Sequence, residues 1–167
     1  MALLTILHFP DPRLRQVAKP IQKIDPSIQT IIDDMFETMY QAPGIGLAAT
    51  QVGIAKRLAV MDISPEKNSP LVLINPQIIE TSDLEILEEG CLSVPGHTDK
   101  INRATRLKMQ ALDRHGKAFM LDAEGLLAHC IQHEVDHLNG KLYIDYLSAL
   151  KRQRIRDKLL KLKRENS

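Results

Sequence analysis

The segment 132–137 (QHEVDH) constrains this chain more than any other stretch. It places His133 and His137 four residues apart, with Glu134 beside the first histidine. Residues four apart share one face of an α-helix, so a helix here would let both imidazole rings bind one metal ion. Glu134 would then lie near the ion without binding it, and could take a proton from a water molecule that the metal activates. The pattern predicts a metal-dependent hydrolase that acts on a carbonyl group.

Three histidines share this helical face, because His129 precedes His133 by another four residues. His129 and His137 would be separated by roughly 12 Å along the helix axis, so one ion should not bind all three. We favour the pair of His133 and His137, since only that pair encloses a glutamate. Cys130 lies on the same face, and we expect it to be a small buried wall residue. A third ligand has to come from another segment, because one helix covers only one side of the ion.

The chain after this helix offers no suitable third ligand. A metzincin protease would need a histidine where the chain has Tyr143. A thermolysin-like site would need a downstream glutamate, and the only one is Glu165, in a basic tail. Upstream, Cys91 is the obvious candidate, since a thiolate, two imidazoles and an open position form a known catalytic zinc arrangement that also suits ferrous iron. Spacing alone leaves two alternatives for Cys91 and Cys130: unrelated buried thiols, or a disulfide.

Three motifs in this chain together resemble the signature motifs of the peptide deformylase family. They are residues 44–51 (GIGLAATQ), 89–93 (EGCLS) and 133–137 (HEVDH), in the family's order and spacing. The resemblance covers nearly the whole chain, from 8–11 (HFPD) to 146–148 (YLS). The family removes the formyl group from the N-terminal formyl-methionine of new polypeptides in bacteria and organelles. The resemblance therefore implies this activity, with formyl-methionyl nascent peptides as substrates.

The resemblance also implies a role for each matching residue. The metal ligands would be Cys91, His133 and His137. Catalysis would rest on Glu134 as general acid and base, with Gln51 and the backbone N–H of Leu92 as donors to the developing oxyanion. The substrate-binding residues would be Gly44, Ile45, Gly46, Gly90, Leu126 and Cys130. One divalent ion per chain is implied, with Fe²⁺ expected as the native metal and Zn²⁺, Ni²⁺ or Co²⁺ as replacements.

The glycine-rich segment 44–49 also matches a dinucleotide-binding fingerprint, with Asp62 downstream. That function would need a strand before the glycines and a long helix after them. Apolar residues at helical spacing instead predict a helix over 26–41, and a strand-like run at 57–63 follows soon after the glycines. We therefore predict a substrate-binding edge, where glycines let a peptide backbone approach closely and Ile45 makes an apolar contact.

The order of elements predicts an α+β fold of mostly antiparallel sheets packed around a central metal-binding helix, with a C-terminal helix. Besides the run at 57–63, we expect a strand at 70–80 and a hairpin of 101–112 with 117–123. The metal-binding helix should span about 124–138 and end at Gly140.

The chain length of 167 residues fits one domain. We divide it into a catalytic part, residues 1–150, and a basic C-terminal helical extension of the same domain, residues 151–167. The extension carries a net charge of +6 and the rest −5. An apolar stripe for the predicted helix consists of Leu147, Leu150, Ile155, Leu159 and Leu162.

Two interpretations of the basic extension stay open: a solvated surface helix, or a contact with an anionic partner. In similar deformylases the C-terminal helix is implicated in docking near the exit tunnel of the ribosome. The start of the chain has no basic signal region, and no apolar run approaches the ~20 residues of a membrane span. We therefore expect a cytoplasmic protein with no DNA or membrane partner.

Other features leave further alternatives. The acidic run 80–89 is expected to be a solvated strand edge and loop, although Glu89 could order the loop of Cys91. His129 either lines the methionine pocket and makes it more polar or faces away from it. Many bacterial relatives carry an arginine shortly after the cysteine motif, whereas this chain has none before Arg103. A small HExxH zinc peptidase and a non-catalytic, metal-stabilised ribosome-binding module are the alternative functions.

Overall fold

The computed structural model describes residues 2–165, and these form three α-helices and five β-strands. The helices are α1 (Pro26–Gln41), α2 (Gly125–Leu138) and α3 (Ala149–Glu165). The strands are β1 (Gly46–Ala48), β2 (Leu58–Met61), β3 (Leu71–Cys91), β4 (Val94–Leu112) and β5 (Ala118–Glu124). All pairings are antiparallel, and the strands lie in the order β1-β2-β3-β4-β5 within a single sheet. The predicted α+β fold is confirmed, with one continuous sheet where several were expected.

Helix α1 begins where the sequence predicts, because Asp25 caps it and Pro26 occupies its first turn. The Asp25 side chain accepts a hydrogen bond of 3.1 Å from the backbone N–H of Ile28. The buried face of α1 contributes Ile28, Ile32, Met35 and Met39 to a core shared with β1 and β2. The helix thereby supports the edge of the sheet that leads into the glycine-rich segment.

Strand β3 is longer than predicted, since it extends through the acidic run to Cys91 instead of ending at residue 80. Basic residues on β4 explain why the strand continues through the acidic run. Glu80 is opposite Lys108, and Glu88 is opposite Lys100, and such cross-strand pairs of opposite charge offset the repulsion within an acidic run. The long strand delivers Cys91 to the hairpin turn beside α2.

Most residues of helix α2 are buried, and they include both apolar and polar side chains. It packs against β1, β2, β4 and β5, and is therefore the central helix that the sequence predicted. The chain leaves α2 through Gly140, whose φ of +78° favours glycine. A Cβ at this position would lie only 2.6 Å from the backbone oxygen of Arg15, so the N-terminal segment packs directly against this turn.

Helix α3 contacts the rest of the fold through few residues. Ile155 and Leu159 are buried in a cluster with Leu142, Tyr143 and Ile144. Two other residues of the predicted apolar stripe, Leu150 and Leu162, are 62% and 39% exposed, because α3 touches the core along its middle turns. Within residues 2–165, none of the helices has the length and apolar character needed to span a bilayer.

Candidate active site

Three side chains from two elements converge on one point. Cys91 comes from the end of β3, and His133 and His137 come from successive turns of α2. The Cys91 Sγ lies 3.2 Å from His137 Nε2, which lies 3.1 Å from His133 Nε2. All three ligand atoms lie within 4.8 Å of one another. The structure thus brings together the three predicted ligands, and it places His129 outside this group.

The spacing of these atoms fits a metal ion. Ligands at ~2.0–2.3 Å from a tetrahedral ion are separated by roughly 3.3–3.6 Å, close to the distances between the His137 Nε2 atom and its two neighbours. Burial, together with the neighbouring His133, lowers the pKa of His137 well below its ordinary value, which favours the neutral imidazole that binds metals. One thiolate and two imidazoles suit zinc and ferrous iron, and leave a fourth position open.

Glu134 is buried beside the ligands and does not belong to their cluster. Its Oε1 atom is buried and has no hydrogen-bond partner within residues 2–165. Burial raises the pKa of Glu134 to about 7, although the nearby His133 opposes the shift. A Cβ on Gly46 would clash with Glu134 Oε2 and would lie 2.8 Å from Cys130 Sγ. The absence of a side chain at residue 46 therefore makes room for the carboxylate.

A buried network around Glu89 orients one of the ligands. Glu89 Oε2 accepts a hydrogen bond of 2.6 Å from His133 Nδ1, which directs His133 Nε2 towards the cluster. Arg103 donates to both oxygens of Glu89, at 2.8 and 2.9 Å, and to Asp136 at 2.7 Å. Burial alone would raise the pKa of Glu89, but hydrogen bonds from His129, His133 and Arg103 hold it well below its ordinary value.

This network corrects part of the sequence analysis. Glu89 is 4% exposed, so the last residue of the acidic run is not part of a solvated loop. The only sequence signal was its position two residues before Cys91. Arg103 is equally buried and is engaged with Glu89 and Asp136, so it does not replace the arginine that this chain lacks between residues 94 and 99. His97 and Thr98, near the start of β4, line the cavity instead.

Gln51 and Leu92 line the same cavity as the ligand Cys91. The backbone N–H of Ala48 donates to Gln51 Oε1 at 2.9 Å, which turns the amide nitrogen towards the site. That nitrogen lies 3.6 Å from Cys91 Sγ and 3.1 Å from Ser93 Oγ. The backbone N–H of Leu92 donates to no acceptor among the described residues. Ser93 was missed by the sequence analysis, although it stands within the cysteine motif.

A cavity of about 500 Å³ opens directly onto this cluster. Its walls include Gln51, Cys91, His133 and Glu134. All the predicted substrate-binding residues also line it, namely Gly44, Ile45, Gly46, Gly90, Leu126 and Cys130. His129 lines the same cavity, so the alternative that it faces away is excluded. Cys130 is a free thiol whose sulfur lies 3.8 Å from the backbone oxygen of Ile45, so the disulfide is excluded, and Cys130 does not belong to the ligand group of the described residues.

A thiolate and two imidazoles beside a buried carboxylate, inside an open cavity of an α+β fold, define a metal-dependent hydrolase. Residues 3–153 match the family model described as polypeptide deformylase. The chain belongs to this family, whose members are hydrolases that remove formyl groups from the N-termini of polypeptides.

Sequence and structure comparisons agree. The chain is 62% identical to the peptide deformylase of Azotobacter vinelandii, with 99% of each chain covered, and 58% identical to that of Pseudomonas aeruginosa, with 100% covered. A crystal structure of a peptide deformylase from Legionella pneumophila superposes with a TM-score of 0.94 at 52% identity, covering 98% of this chain and 97% of that one. The deformylase of Ehrlichia chaffeensis in complex with actinonin gives 0.95 at 44% identity, covering 98% and 99%.

Proposed function

We propose that this protein hydrolyses the formyl group of N-terminal formyl-methionine through the cavity at Glu134. The observation that carries the proposal is a buried carboxylate with an unpartnered oxygen, next to three converging ligand atoms in a cavity open to a peptide. The relatives named above are all deformylases, which favours this activity over that of a zinc peptidase.

Glu134 handles the proton in this reaction. A divalent ion held by Cys91, His133 and His137 would polarise the formyl oxygen and lower the pKa of a water molecule. Glu134 takes a proton from the water whose oxygen attacks the formyl carbon. It then delivers that proton to the amine nitrogen as the C–N bond breaks. The products are formate and a peptide with a free N-terminus.

Gln51 and Leu92 stabilise the oxygen of the formyl group as it gains negative charge. The amide of Gln51 is held in place by Ala48 before substrate binds, so its orientation costs nothing during the reaction. The backbone N–H of Leu92 is available because no protein group accepts it within the described chain. Loss of one such donor in other enzymes costs about 3–4 kcal/mol in the transition state.

The substrate backbone runs along β1. This strand is at the edge of the sheet and, within the described part of the chain, pairs only with β2, so its other side can accept an extended peptide. Gly44 and Gly46 allow the close approach, and Ile45, 43% exposed, provides an apolar contact. The methionine side chain enters the cavity between Leu126, Cys130 and Gly90.

Ferrous iron is the proposed native metal, with Zn²⁺, Ni²⁺ or Co²⁺ as replacements. The support is the donor set, since a thiolate offsets part of the metal charge and suits softer divalent ions. Elemental analysis of protein purified without oxygen should find about one iron per chain. Zinc as the predominant metal in active, anaerobic protein would refute the assignment.

We also propose that residues 151–167 are a basic extension of the catalytic domain that docks on the ribosome in the cytoplasm. Residues 166 and 167 lie outside the described part of the chain. Arg154, Lys158 and Lys161 are exposed on α3, and clustered cations bind phosphate-rich surfaces in a salt-dependent way.

The docking test compares two triple variants of equal charge. Arg154, Lys158 and Lys161 are changed to glutamate in one, and the exposed Lys23, Lys67 and Lys117 in the other. The first variant should no longer sediment with ribosomes, whereas the second should still do so. Equal loss of both would show that net charge, and not α3, determines binding.

The activity itself is tested with three substrates. Formyl-Met-Ala should release formate, whereas acetyl-Met-Ala should react far more slowly because its extra methyl group crowds the carbon that water attacks. Casein should stay intact. Cleavage of casein without release of formate would show that the protein is a peptidase and would refute the proposed deformylase activity.

A further inference from the structure

His129 lines the cavity, and the proposed reaction leaves it without a role. It is 9% exposed and lines the cavity one helical turn before His133. Its Nε2 atom contacts Glu89 Oε1, and Arg103 fixes the same carboxylate with two hydrogen bonds. The ring is therefore held in one position, and it cannot turn away when a substrate enters.

The contact with Glu89 decides which atom of His129 remains available. An ionised carboxylate only accepts hydrogen bonds, so Nε2 of His129 carries the proton and donates it. In the neutral ring the other nitrogen, Nδ1, then has a lone pair that can accept a hydrogen bond. No described residue is bonded to this Nδ1 atom.

The cavity that His129 lines has both apolar and polar walls. Leu126, Cys130, Ile45 and Leu92 are apolar neighbours in it, and Glu88 and Thr98 are polar ones. Burial raises the pKa of the Cys130 thiol, so that this neighbour stays uncharged. Because His129 lines the cavity and its Nδ1 atom has no partner among the described residues, this atom can offer a hydrogen-bond acceptor to a group inside the cavity.

We infer that His129 is a specificity-determining residue that lets the cavity bind a first side chain of methionine length ending in a hydrogen-bond donor. This inference rests on the proposed function. Glutamine has the reach of methionine and ends in an amide N–H, so a formyl-glutaminyl peptide is the probe. Norleucine has the same reach without any polar atom, and serves as the apolar reference.

The experiment measures kcat/KM for formyl-Gln-Ala and formyl-norleucyl-Ala with the metal-loaded enzyme. An amide buried without a partner should be disfavoured by roughly 10- to 100-fold. With His129 as its partner, we expect formyl-Gln-Ala to react within about tenfold of the reference. In His129→Ile the ratio of the two should fall by a further three- to tenfold, about the worth of one net hydrogen bond.

His115→Ile is the matched control, since His115 is exposed in the turn between β4 and β5. It should leave the ratio unchanged. An unchanged ratio in His129→Ile would overturn the inference, as would a wild-type preference for norleucine above about tenfold, which requires no variant to fold. If neither formyl peptide nor formyl-Met-Ala releases formate, the proposed function fails instead.

Discussion

Helices α2 and α3 differ in where their polar residues lie, in the interior for α2 and on the surface for α3. On α2, the ionisable residues His129, His133, Glu134 and His137 are buried, and Asp136 is partly buried. On α3, two apolar residues, Ile155 and Leu159, are the buried ones, and most of the basic side chains are exposed. A buried polar group is stable only with a suitable partner, whereas an exposed charge is solvated by water.

The difference separates two ways in which a helix can serve function. The groups of α2 depend on definite positions, since His133 is oriented by Glu89 and Glu89 by Arg103. The cations of α3 need only be numerous and on the surface, because long-range attraction tolerates changes of geometry. Single substitutions should therefore have large effects in and around α2 and small ones on the surface of α3.

The largest effect is expected for Glu134→Gln. The amide cannot accept and return the proton, so formate release should fall by about 10²- to 10⁴-fold. The metal content should stay the same, because Glu134 is not in the ligand cluster. Glu124→Gln, at a side chain that is 76% exposed, is the control and should keep full activity. Turnover by Glu134→Gln near the wild-type rate would disprove the acid–base role.

Arg103→Met tests the buried network behind α2. It leaves the carboxylates of Glu89 and Asp136 without their cation, which should lower the free energy of unfolding by about 3–5 kcal/mol. Urea denaturation of the metal-loaded protein measures this change. Arg106→Met is the comparison, since Arg106 is 66% exposed and its two ion pairs are long, at 3.7 and 3.9 Å. This substitution should lower the free energy of unfolding by less than ~1 kcal/mol. Similar losses for both variants would contradict the contrast between buried and exposed ion pairs.

Gly46→Ala tests the close packing between β1 and α2. The added methyl group must displace Glu134 or Cys130. A shift of about 1 Å in a catalytic group should lower kcat by roughly 10- to 100-fold, and the crowding should destabilise the fold by about 1–3 kcal/mol. Gly116→Ala, in a surface turn with a φ of +85°, strains the backbone away from the cavity and so shows whether a loss of stability alone lowers kcat. If both variants have equal kcat, the space at Gly46 has no catalytic importance.

The smallest effect is expected for Lys158→Gln on α3. Removing one solvated charge should change the free energy of unfolding by no more than about 0.5 kcal/mol. The adjacent Leu159→Ala should cost about 2–5 kcal/mol, because Leu159 is 6% exposed and fills the contact between α3 and the core. Thermal or urea unfolding distinguishes them, and a larger loss for Lys158→Gln would mean that the charge has a structural partner.

Local patterns explain why much of the fold was predictable. The helix over 26–41 and the hairpin around residues 113–116 follow from apolar periodicity, a capping residue and a turn, all within a short stretch of chain. The end of β3 was not predictable in this way. Three of its acidic residues, Glu80, Glu85 and Glu88, lie opposite bases on β4, and that register depends on the whole hairpin.

The site shows the same division. The spacing of His133, Glu134 and His137 indicated their shared chemistry, because one helical turn brings residues four apart together. Spacing could not decide whether His129 lines the cavity or faces away from it, since both orientations suit a helix. Its contact with Glu89 depends on β3 passing beside α2, forty residues apart in the chain.

The amino-acid sequence by itself therefore determined the kind of chemistry, through the types of residue on α2 and their periodic spacing. The tertiary structure decided which charges are buried together, and with it the roles of Glu89, Arg103 and His129. The physical reason is that the cost of burying a charge depends on the partners that surround it. Those partners come from strands and helices distant in the chain, whose meeting no local pattern encodes.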